Sequence, residues 1–305
     1  MILFIEQILN GVQIGLLLFL LAAGLTLVFG IMDLVNLAHG SLYMMGAYFA
    51  AVLTKLTGSF FLGALLALPA ALLLGIVVEV VALRSLYSRD HLDQVLATFG
   101  LILFFNEAAQ LVFGVAGMTI PLPEALQGQI QILPGLPYPT YRFVVVAVGL
   151  ICALFLYWLV ARTRVGMLIR AGASNREMVG ALGINIARLY TLVFGLGAAL
   201  AALAGLMAAP ITTVRVGMGE NILILAFVVI VIGGIGSVRG AFVAAFLVGL
   251  LDTVGRAFLP DILTLFINPI QAASLAQGLS SMLIYILMAL VLVVRPAGLF
   301  PAPGR

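Results

Sequence analysis

The sequence predicts an all-α fold, a polytopic transmembrane helical bundle with roughly eight or nine membrane helices, some of them broken or re-entrant. Of its 305 residues, 64% are hydrophobic and 8% are charged, whereas about 25% are charged in an average soluble domain. Apolar runs of about 20 residues, enough to cross a bilayer, recur along the whole chain. The runs are continuous, whereas membrane β-strands alternate apolar and polar residues. Residues 1–305 are therefore predicted to form one helical transmembrane domain.

Nine segments fit membrane helices. The apolar run from Ile8 to Ile31 is too long for the core of a signal peptide, so it is predicted to be the first span. Segment 221–235 is short for a full crossing and ends in glycines, which is typical of the broken helices that line transporter binding sites. In chain order, the predicted spans lie near residues 8–31, 38–54, 60–83, 94–114, 141–161, 187–209, 221–235, 239–259 and 280–295.

Arginines predict the orientation, because short cytoplasmic loops are enriched in Lys and Arg. Loop 162–187 is rich in arginine and is predicted to be cytoplasmic, whereas the proline-rich loop 115–140 carries only Glu124 and is predicted to face outward. Counting spans backward places the start of the chain outside, although a re-entrant element near Asn36 would reverse that parity. Further arginines that mark the cytoplasmic side are Arg84, Arg89, Arg295 and Arg305.

A first group of polar residues interrupts the apolar sequence between residues 24 and 50. Ionisable groups at bilayer depth are expensive, so they tend to face a cavity and to mark a permeation pathway or a proton relay. The alternative for Asn and His is that they cap backbone groups freed at a helix break, and for Tyr that it packs. The predicted pathway residues are Asn36, His39, Gly40, Ser41 and Tyr43.

A second break follows the short segment 221–235. We hypothesise that residues 39–43 and 239–243 are a degenerate internal repeat whose broken helices face each other, with chance similarity as the alternative. Asp252 also stands four residues before Arg256, the spacing of a helical ion pair, whereas Glu107 has no obvious partner. The predicted gate or broken-helix residues are Gly233, Gly234, Gly236, Ser237, Glu107 and Asp252.

The same glycines do not form a phosphate-binding loop, because that motif needs Lys followed by Ser or Thr after its second glycine. If transport is powered by ATP, the ATPase must therefore be a separate chain. The cytoplasmic loop predicts how it attaches: Ser174 and Glu177 fit a capping box, and Gly183 stands where a left-handed C-cap ends a helix. This two-turn helix, with Met178 and Leu182 on it, is too short to be stable alone and is predicted to dock on a partner.

Three stretches, GLTLVFGIMDLVNLAHGSLYMMGAYFA, RAGASNREMVGALGIN and VVIVIGGIGSVRGAFVAAFLVGLLD, resemble the permease subunits of branched-chain amino acid ABC importers. The NLAHG form resembles the H-type of the two homologous permeases. ABC permeases carry a coupling motif, Glu-Ala-Ala, three further residues and Gly. Glu177 and Gly183 match its ends, whereas Met178 and Val179 replace its alanines.

The resemblance implies a multi-pass permease of the bacterial inner membrane that carries leucine, isoleucine or valine and is not itself an enzyme. Its implied partners are a second homologous permease, two cytoplasmic ATP-binding subunits, a periplasmic or lipid-anchored substrate-binding protein and membrane lipid. The chain is expected to bind no cofactor, because ATP is used by the partner subunits.

Other functions stay open at this point. A proton-coupled secondary transporter or a channel would also contain broken helices and buried ionisable groups, and similar permeases carry urea or short amides. A membrane enzyme is disfavoured, because the polar residues show neither a nucleophile and base pair nor metal-ligand spacing. The arginines do not form a basic domain, so nucleic acid is not an expected partner.

Overall fold

A computed structural model describes residues 2–301. Residue 1 and residues 302–305, among them Arg305, lie outside the described part. Within it the chain folds into eleven α-helices and one β-hairpin. The helices are α1 (Ile2–Met32), α2 (His39–Thr57), α3 (Phe60–Val78), α4 (His91–Phe113), α5 (Thr140–Arg162), α6 (Arg164–Ser174), α7 (Arg176–Ala181), α8 (Ile186–Ala208), α9 (Met218–Gly233), α10 (Val238–Leu263) and α11 (Pro269–Val294). The hairpin strands are β1 (Gln129–Leu133) and β2 (Leu136–Pro139).

The polytopic helical bundle predicted from the sequence is confirmed. Seven helices of residues 2–301 are long and apolar enough to cross a membrane. They are α1, α3 with its continuation to Leu86, α4, α5, α8, α10 and α11. With the less apolar α2 and the 16-residue α9, all nine predicted segments are helical.

The arginine-rich segments share one end of the bundle. Arg84 Nη2 donates a hydrogen bond to Thr191 Oγ1 at 2.9 Å, which joins the loop after α3 to the first turns of α8. At the opposite end, Gly135 in the turn of the β-hairpin lies near Ile2 of α1. By the positive-inside rule, we call the first end cytoplasmic and the second end outer. The start of α1 lies at the outer end, the side that span counting gives. The break near Asn36 does not reverse this parity, because α2 ends beside residues 118–124 of the outer loop.

Helix α1 occupies the centre of the fold, where it contacts α5, α8, α9 and α10. Small residues allow the closest approaches, because membrane helices associate through tight packing of their backbones. The Gly205 backbone of α8 lies directly against Tyr43 of α2, and a side chain at Gly205 would overlap the Tyr43 carbonyl. Glycine at this position therefore allows α8 and α2 to approach closely.

Loop 162–187 contains two helices, of which the sequence predicted only the second. Thr163 caps α6, since its hydroxyl accepts a hydrogen bond from the Gly166 amide at 3.0 Å. The prediction that Ser174 caps the coupling helix is wrong by one residue, because Ser174 is the last residue of α6. Asn175 takes that role, and its side-chain oxygen accepts from the Met178 amide at 2.9 Å.

Candidate functional site

A re-entrant segment, residues 33–38, connects α1 to α2. Asp33 has a positive φ of 51°, a left-handed conformation that Asp tolerates better than most residues, and the chain reverses there. At the first residue of α2, His39 Nε2 lies 3.1 Å from the Leu21 carbonyl oxygen of α1. Leu21 precedes the end of α1 by eleven residues, or about 16 Å at 1.5 Å per residue. Helix α2 therefore begins in the middle of the bundle.

A second broken helix starts at the same depth. Gly217, with a φ of +80°, precedes α9, and the backbone of Gly219 lies directly against that of Gly40. The amino-terminal ends of α2 and α9 thus meet inside the bundle. Gly233, by contrast, packs against Gly240. The hypothesis that residues 39–43 face residues 239–243 is therefore wrong, since the partner of Gly40 is Gly219.

A small cleft lies where α2 and α9 meet α4. On one wall, Asn106 of α4 donates a hydrogen bond from Nδ2 to Glu220 Oε1 of α9 at 2.6 Å. Glu220 sits in the first turn of α9, where the helix dipole favours a negative charge. Gly40 and Ser41 are the two predicted pathway residues that line the cleft. Its lining residues are Leu37, Gly40, Ser41, Met44, Ile102, Asn106, Gly219, Glu220 and Leu223.

The other predicted pathway residues are buried near the cleft but do not line it. Asn36 and His39 are fully buried. Neither side-chain polar atom of Asn36 has a hydrogen-bond partner within the described residues, and the same holds for His39 Nδ1. A buried amide without partners is costly, so Asn36 is suited to bind a solute, water or a rearranged backbone. Tyr43 is buried against α8, which agrees with the alternative that this side chain serves packing.

The cleft opens beside a polar strip on the surface of α4 and α9. Glu107 follows Asn106 and is exposed, although it lies six residues, or about 9 Å, before the end of α4. Charged side chains in contact with lipid are unfavourable, so this strip must face water or another protein. Its exposed members are Glu107, Gln110, Glu220 and Asn221.

The glycines predicted as a gate form a turn at the cytoplasmic end. Gly234 and Gly236 have φ values of 102° and 83°, and the Ser237 hydroxyl accepts from the Gly240 amide at 3.1 Å, which caps α10. The C-terminal segment closes over this turn, since the Phe300 amide donates to the Gly233 carbonyl at 3.0 Å. The structure does not bring these residues to the cleft, and their role as a gate stays a prediction.

Asp252 also lies away from the cleft. Arg256 Nε donates to Asp252 Oδ1 at 2.7 Å, so the predicted ion pair four residues apart is present. The adjacent Thr253 hydroxyl donates to the Gln7 carbonyl of α1 at 3.1 Å, which places the pair in the outer half of the bundle. Its role as a gate stays a prediction.

The cytoplasmic loop presents α7 to solvent. Met178 and Leu182 are 58% and 75% exposed, and Glu177 is exposed on the same turn. Gly183, with a φ of +85°, ends the helix as predicted. The Gly183 amide donates to the Gly180 carbonyl at 3.0 Å, and the Ile184 amide donates to the Val179 carbonyl at 3.3 Å, which is a Schellman motif.

Sequence reasoning missed Asn106 and Glu220 as site residues. They are 114 positions apart, so no local pattern joins them. The available signal was an acid in the first turn of a short apolar helix, Met-Gly-Glu-Asn at residues 218–221, since an acid in such a place needs a polar environment.

A bundle in which two helices begin at mid-depth, with a polar strip and an exposed cytoplasmic helix, fits a membrane permease. Residues 7–292 match the model of the family described as "Branched-chain amino acid transport system / permease component". The chain belongs to this family. Localisation in a bacterial cytoplasmic membrane, predicted from the sequence, fits both findings.

Individual relatives span almost the whole chain. The high-affinity branched-chain amino acid transport system permease protein BraD of Pseudomonas aeruginosa is 28% identical, over 98% of this chain and 96% of its own length. The corresponding protein LivH of Escherichia coli is 27% identical, with the same coverage. The autoinducer 2 import system permease protein LsrD of Salmonella paratyphi B is 28% identical over 61% of this chain and 58% of its own length. No solved structure matches the chain.

Proposed function

We propose that this chain is a permease subunit of an ATP-driven importer and that it forms the translocation path together with a second, homologous permease. The observation that carries the proposal is the cleft between the ends of α2 and α9, which opens beside exposed Glu107, Glu220 and Asn221. A polar strip at this depth requires water or protein instead of lipid. A second permease that covers the strip would enclose a polar path between the two chains.

The proposed substrates are leucine, isoleucine and valine. The Glu220 carboxylate offers a partner for the α-ammonium group, and the positive dipole ends of α2 and α9 favour the α-carboxylate. Leu37, Ile102 and Leu223 supply apolar surface for the side chain. The names of BraD and LivH refer to branched-chain amino acid transport, which supports this choice.

Two cytoplasmic ATP-binding subunits are proposed to dock on α7. Exposure of the apolar Met178 and Leu182 side chains to water is unfavourable. These side chains are therefore suited to enter an apolar groove of a partner. A periplasmic or lipid-anchored binding protein is proposed to deliver the substrate to the outer end. On this proposal the chain is not an enzyme and binds no cofactor, because the partner subunits bind and hydrolyse ATP.

Docking is tested with the chain co-expressed with its candidate partners, purified in lipid nanodiscs and examined by mass spectrometry. Glu177→Arg reverses the charge of the exposed helix and is expected to reduce binding of the ATP-binding subunits at least tenfold. The matched control is Glu124→Arg, an equal charge reversal at an exposed position in the outer loop. Both variants should retain the helical content and melting temperature of the unchanged chain.

Retention of both ATP-binding subunits by Glu177→Arg would refute docking through α7. A chain that carries leucine on a proton gradient without any ATP-binding subunit would refute the importer proposal itself and would favour secondary transport.

A further inference from the structure

A fully buried carboxylate lies at the cytoplasmic end of α3. Glu79 is 0% exposed, and three side chains donate to it. Tyr87 Oη lies 2.6 Å from Glu79 Oε1, Arg84 contacts both oxygens at 3.2 and 3.0 Å, and Thr191 Oγ1 lies 2.8 Å from Oε2. Buried charges are tolerated only when they are paired and hydrogen-bonded. We call these four residues the Glu79 bracket.

The local backbone is shaped to form the bracket. Residues Glu79–Leu83 form a π-helical turn, in which the Arg84 amide donates to the Glu79 carbonyl. In an α-helix, residues five apart point about 140° away from each other, so Arg84 would not reach Glu79. Burial and the hydrogen bond to Glu79 raise the pKa of the Tyr87 hydroxyl, so it stays protonated and remains a donor. Turns of this kind occur frequently at functional sites.

The bracket joins α3 to the helix that follows the docking helix. Thr191 lies in the second turn of α8, and only residues 182–185 separate α8 from α7. Next to Thr191, the Tyr190 ring packs edge-on against Tyr87, with 5.1 Å between centroids. The Tyr190 hydroxyl lies 3.4 Å from the Ile31 carbonyl oxygen near the end of α1. The first turns of α8 are therefore connected to α7 by a short loop and contact both Tyr87 and the end of α1.

A buried amide continues these contacts to the re-entrant segment. Gln94 Nε2 donates to the Leu86 and Arg89 carbonyl oxygens at 3.3 and 3.2 Å, in the loop that carries Tyr87. Gln94 Oε1 accepts from the Val35 amide at 3.3 Å. Val35 precedes Asn36, the buried amide next to the cleft.

We propose that the Glu79 bracket and Gln94 form the mechanical link between the docking helix α7 and the re-entrant segment 33–38. The link rests on the proposed function, in which ATP-binding subunits move α7. Directional hydrogen bonds to a buried charge cannot slide as apolar contacts do, so α8, the loop after α3 and the re-entrant segment move together. The four residues of the bracket and Gln94 act as positioning residues and do not contact the solute.

The test uses the complete complex of both permeases and both ATP-binding subunits in proteoliposomes, with the binding protein and labelled leucine. The measured quantity is leucine imported per ATP hydrolysed. Glu79→Gln, Tyr87→Phe and Thr191→Val each weaken the link with little change in volume. Hydrogen bonds to charged groups are worth enough to change an equilibrium by about tenfold or more, so the ratio should fall about tenfold in Glu79→Gln. The basal ATPase rate should change little, and the melting temperature should fall less in Tyr87→Phe and Thr191→Val than in Glu79→Gln, which leaves Arg84 without its ion-pair partner.

The matched control is Thr253→Val, which removes a buried hydroxyl that also joins two helices, but at the outer end. It should leave the ratio unchanged. The double variant Thr191→Val with Gln94→Leu should be no worse than the more affected single variant, because two breaks in one chain of contacts are not additive.

The outcomes separate this inference from the proposed function. If the unchanged complex imports no leucine with ATP, the proposed function fails. If the unchanged complex works and Tyr87→Phe and Thr191→Val keep its ratio, the link is refuted, whether or not Glu79→Gln assembles. A lower melting temperature with an unchanged ratio of leucine imported to ATP hydrolysed also refutes the link, because that result indicates a purely structural role.

Discussion

The contact between Gly40 and Gly219 sets the geometry of the candidate path, and replacing Gly40 by Ala tests it. An added Cβ would lie 2.9 Å from the Gly219 carbonyl carbon and 3.0 Å from Leu223 Cβ. Carbon atoms in favourable contact are about 3.5 to 4.0 Å apart, so the two helix ends would have to separate by roughly 0.6 Å or more. The first of these neighbours is backbone and cannot rotate away.

The energetic consequence follows from two opposing terms. Ala in place of Gly stabilises a helix by roughly 0.5–1 kcal/mol, whereas overpacking a close contact costs about 1–3 kcal/mol. Gly100 of α4 provides the control, because a Cβ there meets no atom within 4 Å. Gly100→Ala therefore gains the helix term alone. The difference between the two variants isolates the packing term, about 1–3 kcal/mol.

The assay is thermal unfolding of the purified chain in a fixed detergent, followed by leucine uptake in the reconstituted complex. Gly40→Ala should melt several degrees below Gly100→Ala and should lose most of its uptake, while Gly100→Ala keeps both. Gly219→Ala should behave like Gly40→Ala, and the double variant should be less harmful than the sum, because both changes strain the same contact. Equal melting temperatures and equal uptake for Gly40→Ala and Gly100→Ala would refute the contact.

Two further predictions concern the ends of the proposed transport cycle. Gly183→Ala places a Cβ at a φ of +85° and destabilises the end of α7 by roughly 1–2 kcal/mol. In a pull-down titration, affinity for the ATP-binding subunits should therefore fall by about tenfold. Gly180→Ala in the same helix is the control and should not change this affinity. Glu220→Gln removes the charge that Asn106 contacts and should slow leucine uptake about tenfold. Binding of the ATP-binding subunits should stay intact. Unchanged uptake would show that Glu220 does not belong to the path.

The sequence alone was sufficient for the bundle and for most of its helices. Long apolar runs leave the backbone no alternative to helix in lipid, so all nine predicted segments appear. Helix α6 was missed because its arginines conceal the apolar side that it packs against the bundle. The cap of α7 was misplaced by one residue because Ser174 and Asn175 both suit a helix start, and only the backbone conformation decides between them.

The candidate site was only partly predictable. The re-entrant break near Asn36 and His39 was visible, because polar residues interrupt apolar sequence there. Its partner was not visible, since many glycine-rich stretches align with one another and only tertiary packing shows that Gly219, and not Gly240, meets Gly40. Glu79 shows the same limit. Its ion pair with Arg84 joins residues that are close in sequence, but the contact with Thr191, 112 positions away, depends on how α3 packs on α8.

The most direct test of the central claim is leucine uptake by proteoliposomes that contain this chain, its partner permease and both ATP-binding subunits, with the binding protein added. The account predicts uptake that requires ATP and the binding protein together and that stops when either is withheld. Leucine uptake that persists without ATP and follows an imposed proton gradient would contradict it.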